Sequence, residues 1–190
     1  LSQQQRSYFY ALQTYMSVLK QRNALLKSGD MRQMPAWDEQ LALAAAPVVR
    51  LRREACISLN EWARNHYFYI GGKEEEVFAL KYQSALSQAD DPAEKMLQGL
   101  HVARDEDIRR QYTTFGPHRD DIDLTLCGMP MKAFASQGQM RTAALSMKLA
   151  AFDLLEKSQG EAPLLLLDDV LSELDPGRQD FVLNQIDKGQ

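Results

Sequence analysis

"LLLLDDVLSELDP", residues 164–176, is the stretch from which the fold of this chain can be predicted. Its four leucines form a continuous apolar run, which is typical of a strand buried on both faces in a parallel α/β sheet. Asp168 and Asp169 end that run, so the strand would place both carboxylates at the carboxyl edge of the sheet, where α/β folds bind ligands. The stretch therefore predicts an α/β fold with an acidic site at one edge of its sheet.

The two acids are arranged as in the acidic half of an ATP site. Asp168 takes the position of the Walker B acid, which holds a magnesium ion, usually through a water, and Asp169 would polarise the attacking water. A simpler interpretation stays open, because acids after a strand commonly cap the next helix. The residues that follow, taken alone, predict only a turn and a helix cap. They are Ser172, Glu173, Leu174 and Asp175.

A second motif, "SQGQ" at residues 136–139, stands at the start of a predicted helix. The Ser136 hydroxyl, the close backbone approach that Gly138 allows and the N–H groups before Gln139 would together form an anion-binding surface. The alternative is an ordinary capped helix, in which Ser136 only satisfies backbone donors. The order of these motifs along the chain favours an ATPase. S-x-G-Q comes first, followed by a helix of about five turns, four leucines, two acids and S-x-L-D.

The composition limits the class of protein. The chain has 190 residues, of which 45% are hydrophobic and 25% charged, as in a globular domain. A net charge of -4 excludes a uniformly cationic coat for nucleic acid but leaves room for a local basic patch. Cys56 and Cys127 lack metal or disulfide spacing, which fits a reducing, cytoplasmic setting. No apolar run approaches the roughly 18 residues that a membrane span needs, so no membrane role is expected.

Apolar periodicity predicts two long helices that form an antiparallel helical arm. The first covers residues 7–27, and the second runs from a cap at Asp38 to about His66. Pro47 should kink the second helix or mark a late start. The pattern then predicts a strand over 77–84, a third helix from 92 to about 111, and two strands around the turn at 127–130. The last predicted helix spans 139–155.

Several residue groups allow two interpretations. The basic residues Arg50, Arg52, Arg53 and Arg64 could meet DNA phosphates, although a solvated face balanced by glutamates is favoured. The aromatic run at 66–69 could stack bases, but its place at the end of an apolar helix favours core packing.

The block at 116–121, "GPHRDD", also allows two interpretations. His118 and Arg119 could be functional, but a turn in which Asp120 and Asp121 pair with Arg119 is favoured. Asp121 and Asp123 share a strand face and are interpreted as solvated, because no third metal ligand accompanies them.

Five segments resemble the RecF family, bacterial DNA-repair ATPases related to the SMC-type ABC ATPases. They are "LKQRNALLK" (19–27), "WDEQLA" (37–42), "GPHRDDIDLTL" (116–126), "FASQGQMRTAALSMKLA" (134–150) and "LLLLDDVLSELDPGRQ" (164–179). The resemblance implies an α/β fold in which a partial ABC-type ATPase head of the P-loop NTPase superfamily carries a helical arm. The arm would comprise residues 1–112 with a short strand, and the C-terminal part of the head residues 113–190.

The resemblance also implies a role for each motif. Ser136, Gly138 and Gln139 would form the signature, which reaches across a dimer to the γ-phosphate of ATP on the partner subunit. Asp168 would serve Mg²⁺ and Asp169 the attacking water. The D-loop, which links the two sites of the dimer, would consist of Ser172, Glu173, Leu174 and Asp175.

The phosphate-binding loop of the family has no counterpart in this sequence. The one glycine-lysine run, at 71–73, is followed by three glutamates that would repel phosphate. The loop is therefore expected before Leu1, and the family's switch histidine after Gln190. We expect this fragment to be inactive alone and the full-length protein to be a slow ATPase. Asp169 is shorter than the glutamate of many ABC proteins, and misplacing a base by about 1 Å can cost on the order of a hundredfold in rate.

The family's activity supplies the functional expectation. RecF proteins dimerise on ATP, bind DNA at junctions of single and double strands, and help RecR and RecO load RecA at gaps. Two alternatives remain, namely another SMC-like head and a non-catalytic interaction module in which the acids merely cap a helix. The arm helices lack the sustained heptads of an SMC coiled coil.

Overall fold

The computed structural model describes residues 6–71, 73, 75–160 and 179 of the chain. The predicted strand at 164–167 lies outside the described residues. The elements are α1 (Arg6–Ser28), α2 (Met34–Gly71), β1 (Phe78–Gln83), α3 (Pro92–Arg110), a 3₁₀ turn (Pro117–Arg119), β2 (Asp121–Leu126), β3 (Met129–Pro130), α4 (Met131–Phe134) and α5 (Gln137–Gln159). No helix in the described part of the chain is both long and apolar enough to cross a membrane.

The helices and strands predicted over residues 1–155 are present. α1 matches its prediction within one residue and ends where Gly29, at φ +75°, donates its N–H to Leu25 O at 3.0 Å. α3 begins after Asp91, whose carboxylate accepts the N–H groups of Ala93 and Glu94 at 2.9 and 3.2 Å. These helix ends depend on neighbouring residues, which is why the sequence predicts them.

α2 differs from its prediction at both ends. It starts at Met34, four residues before the predicted cap, and continues through Pro47 to Gly71. The prediction that Asp38 caps this helix is therefore wrong, as is a start at Pro47. Asp38 lies inside α2 and is fully buried.

The strands form a sheet in the order β1-β2-β3. Phe78, Leu80 and Tyr82 alternate toward the interior along β1, as the period-2 pattern predicts. β2 and β3 pair antiparallel, with Leu126 opposite Met129. The return strand has only two residues.

The chain divides into two compact units, Leu1–Ala55 with Tyr82–Ile122 and Cys56–Lys81 with Asp123–Gln190. The core of the first unit includes Tyr15, Leu19, Leu41, Met96 and Leu100. The core of the second includes Ala63, Tyr67, Phe78, Leu126, Met131, Ala143 and Ala150. These units reflect compactness alone, and the functional division into 1–112 and 113–190 stays a prediction.

A buried ionic cluster of Arg22, Asp38, Arg104 and Asp107 ties α1, α2 and α3 together within the first unit. Arg22 Nε donates to Asp38 Oδ1 and Arg22 Nη1 to Asp107 Oδ2, each at 2.7 Å, and all three side chains are fully buried. Arg104 Nη2 reaches Asp38 Oδ2 at 2.9 Å. Burying a charge is unfavourable unless it is paired, so Asp38 is held inside α2 by these cations.

Candidate functional site

The N-terminus of α5 carries the three residues predicted to bind nucleotide. Ser136 is the N-cap, and its Oγ accepts the backbone N–H of Gln139 at 3.2 Å. In return, the N–H of Ser136 donates to Gln139 Oε1 at 2.8 Å. This reciprocal pair is a capping box, and it fixes Ser136 and Gln139 against each other at the helix start.

The same helix start is open to solvent. The first N–H groups of a helix have no carbonyl to bond within it, and the capping box takes up only those of Ser136 and Gln139. The N–H groups of Gln137 and Gly138 thus remain without an acceptor inside the helix, and both residues are exposed. The partial positive charge of a helix N-terminus favours an anion at such a position.

Gly138 is not needed for packing. A Cβ at this position would meet nothing closer than Ser136 Oγ, at 3.9 Å. Packing would therefore tolerate a side chain at this position. The open space above Gly138 fits the close backbone approach that an anion-binding role requires.

The two interpretations of Ser136 are compatible in this geometry. The capping bond uses Ser136 Oγ as an acceptor. A serine hydroxyl also has one hydrogen to donate, which this bond leaves unused. Ser136 can therefore cap α5 and donate to an anion at the same time.

A residue that the sequence analysis missed contacts this motif. Gln139 Nε2 donates to Glu76 Oε1 at 3.1 Å, and the hydroxyl of Tyr67 donates to Glu76 Oε2, also at 3.1 Å. In sequence, Glu76 is only one of three adjacent glutamates. No local pattern links it to a helix that begins 61 residues later.

α5 is held along its length by the second unit. Ala143, Leu145, Leu149 and Ala150 are buried on its inner face. His66 Nε2 in α2 lies 2.5 Å from Asp153 Oδ2, near the other end of α5. The helix that presents Ser136 is thus seated on a packed core.

The predicted catalytic and D-loop residues lie outside the described residues. They are Asp168, Asp169, Ser172, Glu173, Leu174 and Asp175. Their positions relative to Ser136 stay predictions. Within the described part of the chain, no group of three or more histidine, cysteine or acidic residues is arranged to hold a metal ion. Asp121 and Asp123 are exposed on β2.

The basic residues of α2 differ in their surroundings. Arg52 Nη1 donates to Pro117 O at 2.6 Å and Nε to the hydroxyl of Tyr8 at 3.0 Å, so Arg52 is a structural residue of the first unit. Arg50 and Arg64 are exposed. The aromatic run also separates, because Tyr67 is buried whereas Phe68 and Tyr69 are 45% and 61% exposed. Core packing is confirmed for Tyr67 and for His66, which is also buried, and is wrong for Phe68 and Tyr69.

His118 of the "GPHRDD" block is hydrogen-bonded inside the first unit. The Tyr15 hydroxyl donates to His118 Nδ1 at 2.6 Å, and Nε2 donates to Thr113 O at 2.9 Å. Burial lowers the pKa of His118, which favours the neutral ring that this pattern requires. Burial also raises the pKa of Tyr15, so its hydroxyl keeps the proton that it donates.

The neighbours of His118 in this block have different partners from those predicted. Asp120 Oδ2 accepts the hydroxyl of Tyr82 and lies 3.6 Å from Arg52 Nη1, whereas Arg119 lies over the ring of Tyr112. The predicted pairing of Asp120 with Arg119 is therefore corrected. Long-range packing, which a turn pattern does not show, decides these contacts.

Gly116 has a backbone conformation that suits glycine, with φ +131°. A Cβ there would lie 2.6 Å from Met96 Cε and 2.8 Å from the Tyr15 hydroxyl oxygen. The glycine therefore serves the packing of the first unit.

Comparisons with known proteins give one consistent family. No protein-family model matches the chain. The DNA replication and repair protein RecF of Ruminiclostridium cellulolyticum is 40% identical over 199 residues, which cover 100% of this chain and 54% of that protein. The RecF protein of Gloeobacter violaceus is 42% identical over 94% of this chain and 50% of its own length. The chain thus spans about half the length of the curated relatives it matches.

Solved structures give the same result. A structure of the recombination mediator protein RecF with ATP, in the RecFOR pathway, matches with a TM-score of 0.87 and 30% identity. The match covers 98% of this chain and 52% of that one.

Proposed function

Because this chain belongs to the RecF family, we propose that it is the part of a DNA replication and repair ATPase that completes the ATP site of a partner subunit. Its fold is that of part of an α/β ABC-type ATPase head, as the sequence predicts. The observation that carries the proposal is the exposed, capped start of α5, where Ser136, Gly138 and Gln139 stand together.

In this proposal the helix start binds the γ-phosphate of ATP held by the other subunit of a dimer. The Ser136 hydroxyl and the N–H groups of Gln137 and Gly138 would donate to phosphate oxygens. Hydrogen bonds to a charged acceptor are stronger than neutral ones, which suits a contact that must close a dimer. The solved RecF structure with ATP supports nucleotide binding in the family.

The remaining roles follow the motif order. Asp168 would hold Mg²⁺ through a water, Asp169 would orient the attacking water, and the D-loop of Ser172, Glu173, Leu174 and Asp175 would link the two sites. Hydrolysis by the full-length protein would be slow and would time the release of the dimer from DNA.

We further propose that the full-length protein works in the cytoplasm on gapped DNA, at junctions of single and double strands. RecR and RecO would be its partners in helping to load RecA. The names of the curated relatives support a role in DNA replication and repair, and the solved structure supports a place in the RecFOR pathway.

The test uses two substitutions at Ser136 in a full-length RecF protein that carries this sequence. Asparagine and aspartate both cap helices about as well as serine, but only aspartate adds a negative charge where the phosphate would bind. We expect Ser136→Asp to abolish ATP-dependent dimerisation, measured by sedimentation velocity, and Ser136→Asn to weaken it less. Ser158→Ala, an exposed serine at the other end of α5, is the control. If Ser136 only caps the helix, both Ser136 variants will dimerise like the parent protein.

The interaction-module alternative is tested at the acids. Asp168→Asn should abolish ATP turnover and Asp169→Asn should slow it strongly, because each removes a charge that the reaction uses. Unchanged turnover in Asp168→Asn would favour the interaction module.

A further inference from the structure

We propose that Glu76 is a positioning residue for the ATP-binding serine, acting on Ser136 through the side chain of Gln139. The inference rests on the function proposed above. It adds to the signature motif a residue that lies outside the motif and immediately before β1.

The contacts form a continuous chain within the second unit. Tyr67 donates its hydroxyl to Glu76 Oε2 at 3.1 Å, and Gln139 Nε2 donates to Glu76 Oε1 at 3.1 Å. Gln139 Oε1 then accepts the N–H of Ser136 at 2.8 Å. Each step is a direct hydrogen bond, so the position of Ser136 is linked to the core residue Tyr67.

The chemistry of Glu76 decides which way the Gln139 amide faces. An ionised carboxylate only accepts hydrogen bonds, so the NH₂ group of Gln139 must face it. The amide oxygen of Gln139 is then directed to the Ser136 N–H, as the capping box requires. Without the carboxylate, the broad terminal torsion of the glutamine side chain would no longer be held in one of its two orientations.

The position of Glu76 is itself well determined. Tyr67 is 1% exposed, and its ring stacks on Phe78 with the centroids 5.1 Å apart. The backbone N–H of Glu76 donates to Lys73 O at 2.8 Å, and the next residue, Val77, accepts the N–H of Cys127 at 2.8 Å. The carboxylate therefore lies at the edge of the core, on a backbone segment that is held by hydrogen bonds at Glu76 and Val77.

The experiment compares Glu76→Ala with Glu75→Ala in the full-length protein. Glu75 is the adjacent exposed residue, and its replacement changes the net charge equally. Losing the contact that orients Gln139 should raise the ATP concentration for half-maximal dimerisation about three- to tenfold in Glu76→Ala, as expected for one ordinary hydrogen bond. Glu75→Ala should behave like the parent protein. Glu76→Gln, which keeps the size but has a single acceptor oxygen, should lie between them.

A double-mutant test separates positioning from general damage. Because Glu76 acts through Gln139, Glu76→Ala should add less than about a twofold change in a Gln139→Ala background. Independent, multiplying effects would overturn the inference. Glu76→Gln carries the same test if Glu76→Ala fails to fold, which the melting temperature will show.

The outcomes also separate this inference from the proposed function. If Ser136→Asp dimerises like the parent protein, the proposed function is refuted and the positioning role with it. If Ser136→Asp fails to dimerise while Glu76→Ala matches Glu75→Ala, only the positioning role is refuted.

Discussion

Replacing Arg22 with methionine tests the energetics of the buried ionic cluster in the first unit. Arg22 makes three short contacts, to Asp38 and Asp107 at 2.7 Å and to Thr113 Oγ1 at 2.8 Å. Methionine has a similar length and no charge, so Arg22→Met removes the central cation and leaves two carboxylates in the interior.

The expected loss of unfolding free energy depends on the hydrogen bonds that Asp38 and Asp107 keep in Arg22→Met. Removing one partner of a buried ion pair costs about 3–5 kcal/mol. Asp38 would keep Arg104 at 2.9 Å, and Asp107 would keep the N–H and hydroxyl of Thr114 at 2.7 and 2.6 Å. Arg22 Nη2 is also buried without a hydrogen-bond partner among the described residues. We therefore expect the lower end of the range, about 3 kcal/mol of unfolding free energy.

Urea unfolding followed by Trp37 fluorescence measures this loss. The chain has two tryptophans, so a Trp62→Phe background leaves Trp37, beside Asp38, to report on the first unit. With a slope of roughly 2 kcal/mol per M, the midpoint should fall by about 1.5 M. The control is Arg32→Met, since Arg32 and Asp30 form a pair with side chains 87% and 41% exposed. Exposed pairs contribute little to stability, so Arg32→Met should unfold at nearly the same urea concentration as the parent protein.

A loss below about 1 kcal/mol in Arg22→Met would refute this reasoning, because it would mean that the cost of burying the charges offsets their attraction. The double variant Arg22→Met with Asp107→Asn gives a second check. It should be less destabilised than the sum of the single variants, since neutralising Asp107 removes one of the uncompensated charges.

Three further substitutions test local features. His118→Gln should flatten the pH dependence of the unfolding free energy between about pH 7 and 5. Burial lowers the pKa of His118 in the folded protein. The contribution of His118 to stability is therefore full above the unfolded pKa near 6.5 and is lost as the pH falls through the folded pKa. Equal slopes in urea titrations of both proteins would contradict this. Gly116→Ala should lower the unfolding free energy by about 2 kcal/mol, because the new Cβ would both strain the backbone and clash with Met96 and Tyr15. Gly128→Ala should lower it by about 1 kcal/mol, since only backbone strain applies there. Equal losses in the two variants would show that the clash at Gly116 has no cost. Asp91→Ala should cost about 1 kcal/mol through the lost cap, and Asp90→Ala much less, as thermal unfolding would show.

The presence of the long helices, both ends of α1 and the start of α3 were predictable from the sequence, whereas α2 and α5 extend beyond their predicted ranges. α1 has apolar residues at three- and four-residue steps and a Ser-Gly stop, so both its existence and its end depend on adjacent residues. The same holds for the start of α3 at Asp91. β1 was predictable because its alternation matches the side-chain period of a strand.

Asp38 shows where local patterns fail. An aspartate before an apolar run predicts a helix cap, but Arg22, 16 residues earlier, and Arg104, 66 residues later, hold it inside α2. Arg52 is a similar case, because its carbonyl partner Pro117 is 65 residues away. Neither partner is visible to a pattern that spans a few residues.

The candidate site divides in the same way. The sequence by itself determined that Ser136, Gly138 and Gln139 would meet at a helix start, since a capping box joins residues only three apart. Only the tertiary structure decided that Glu76, 63 residues from Gln139, and the buried Tyr67 would contact this motif. The physical reason is the separation of the residues along the sequence. Backbone geometry sets the contacts within one turn of a helix, whereas contacts between distant segments depend on how the whole core packs.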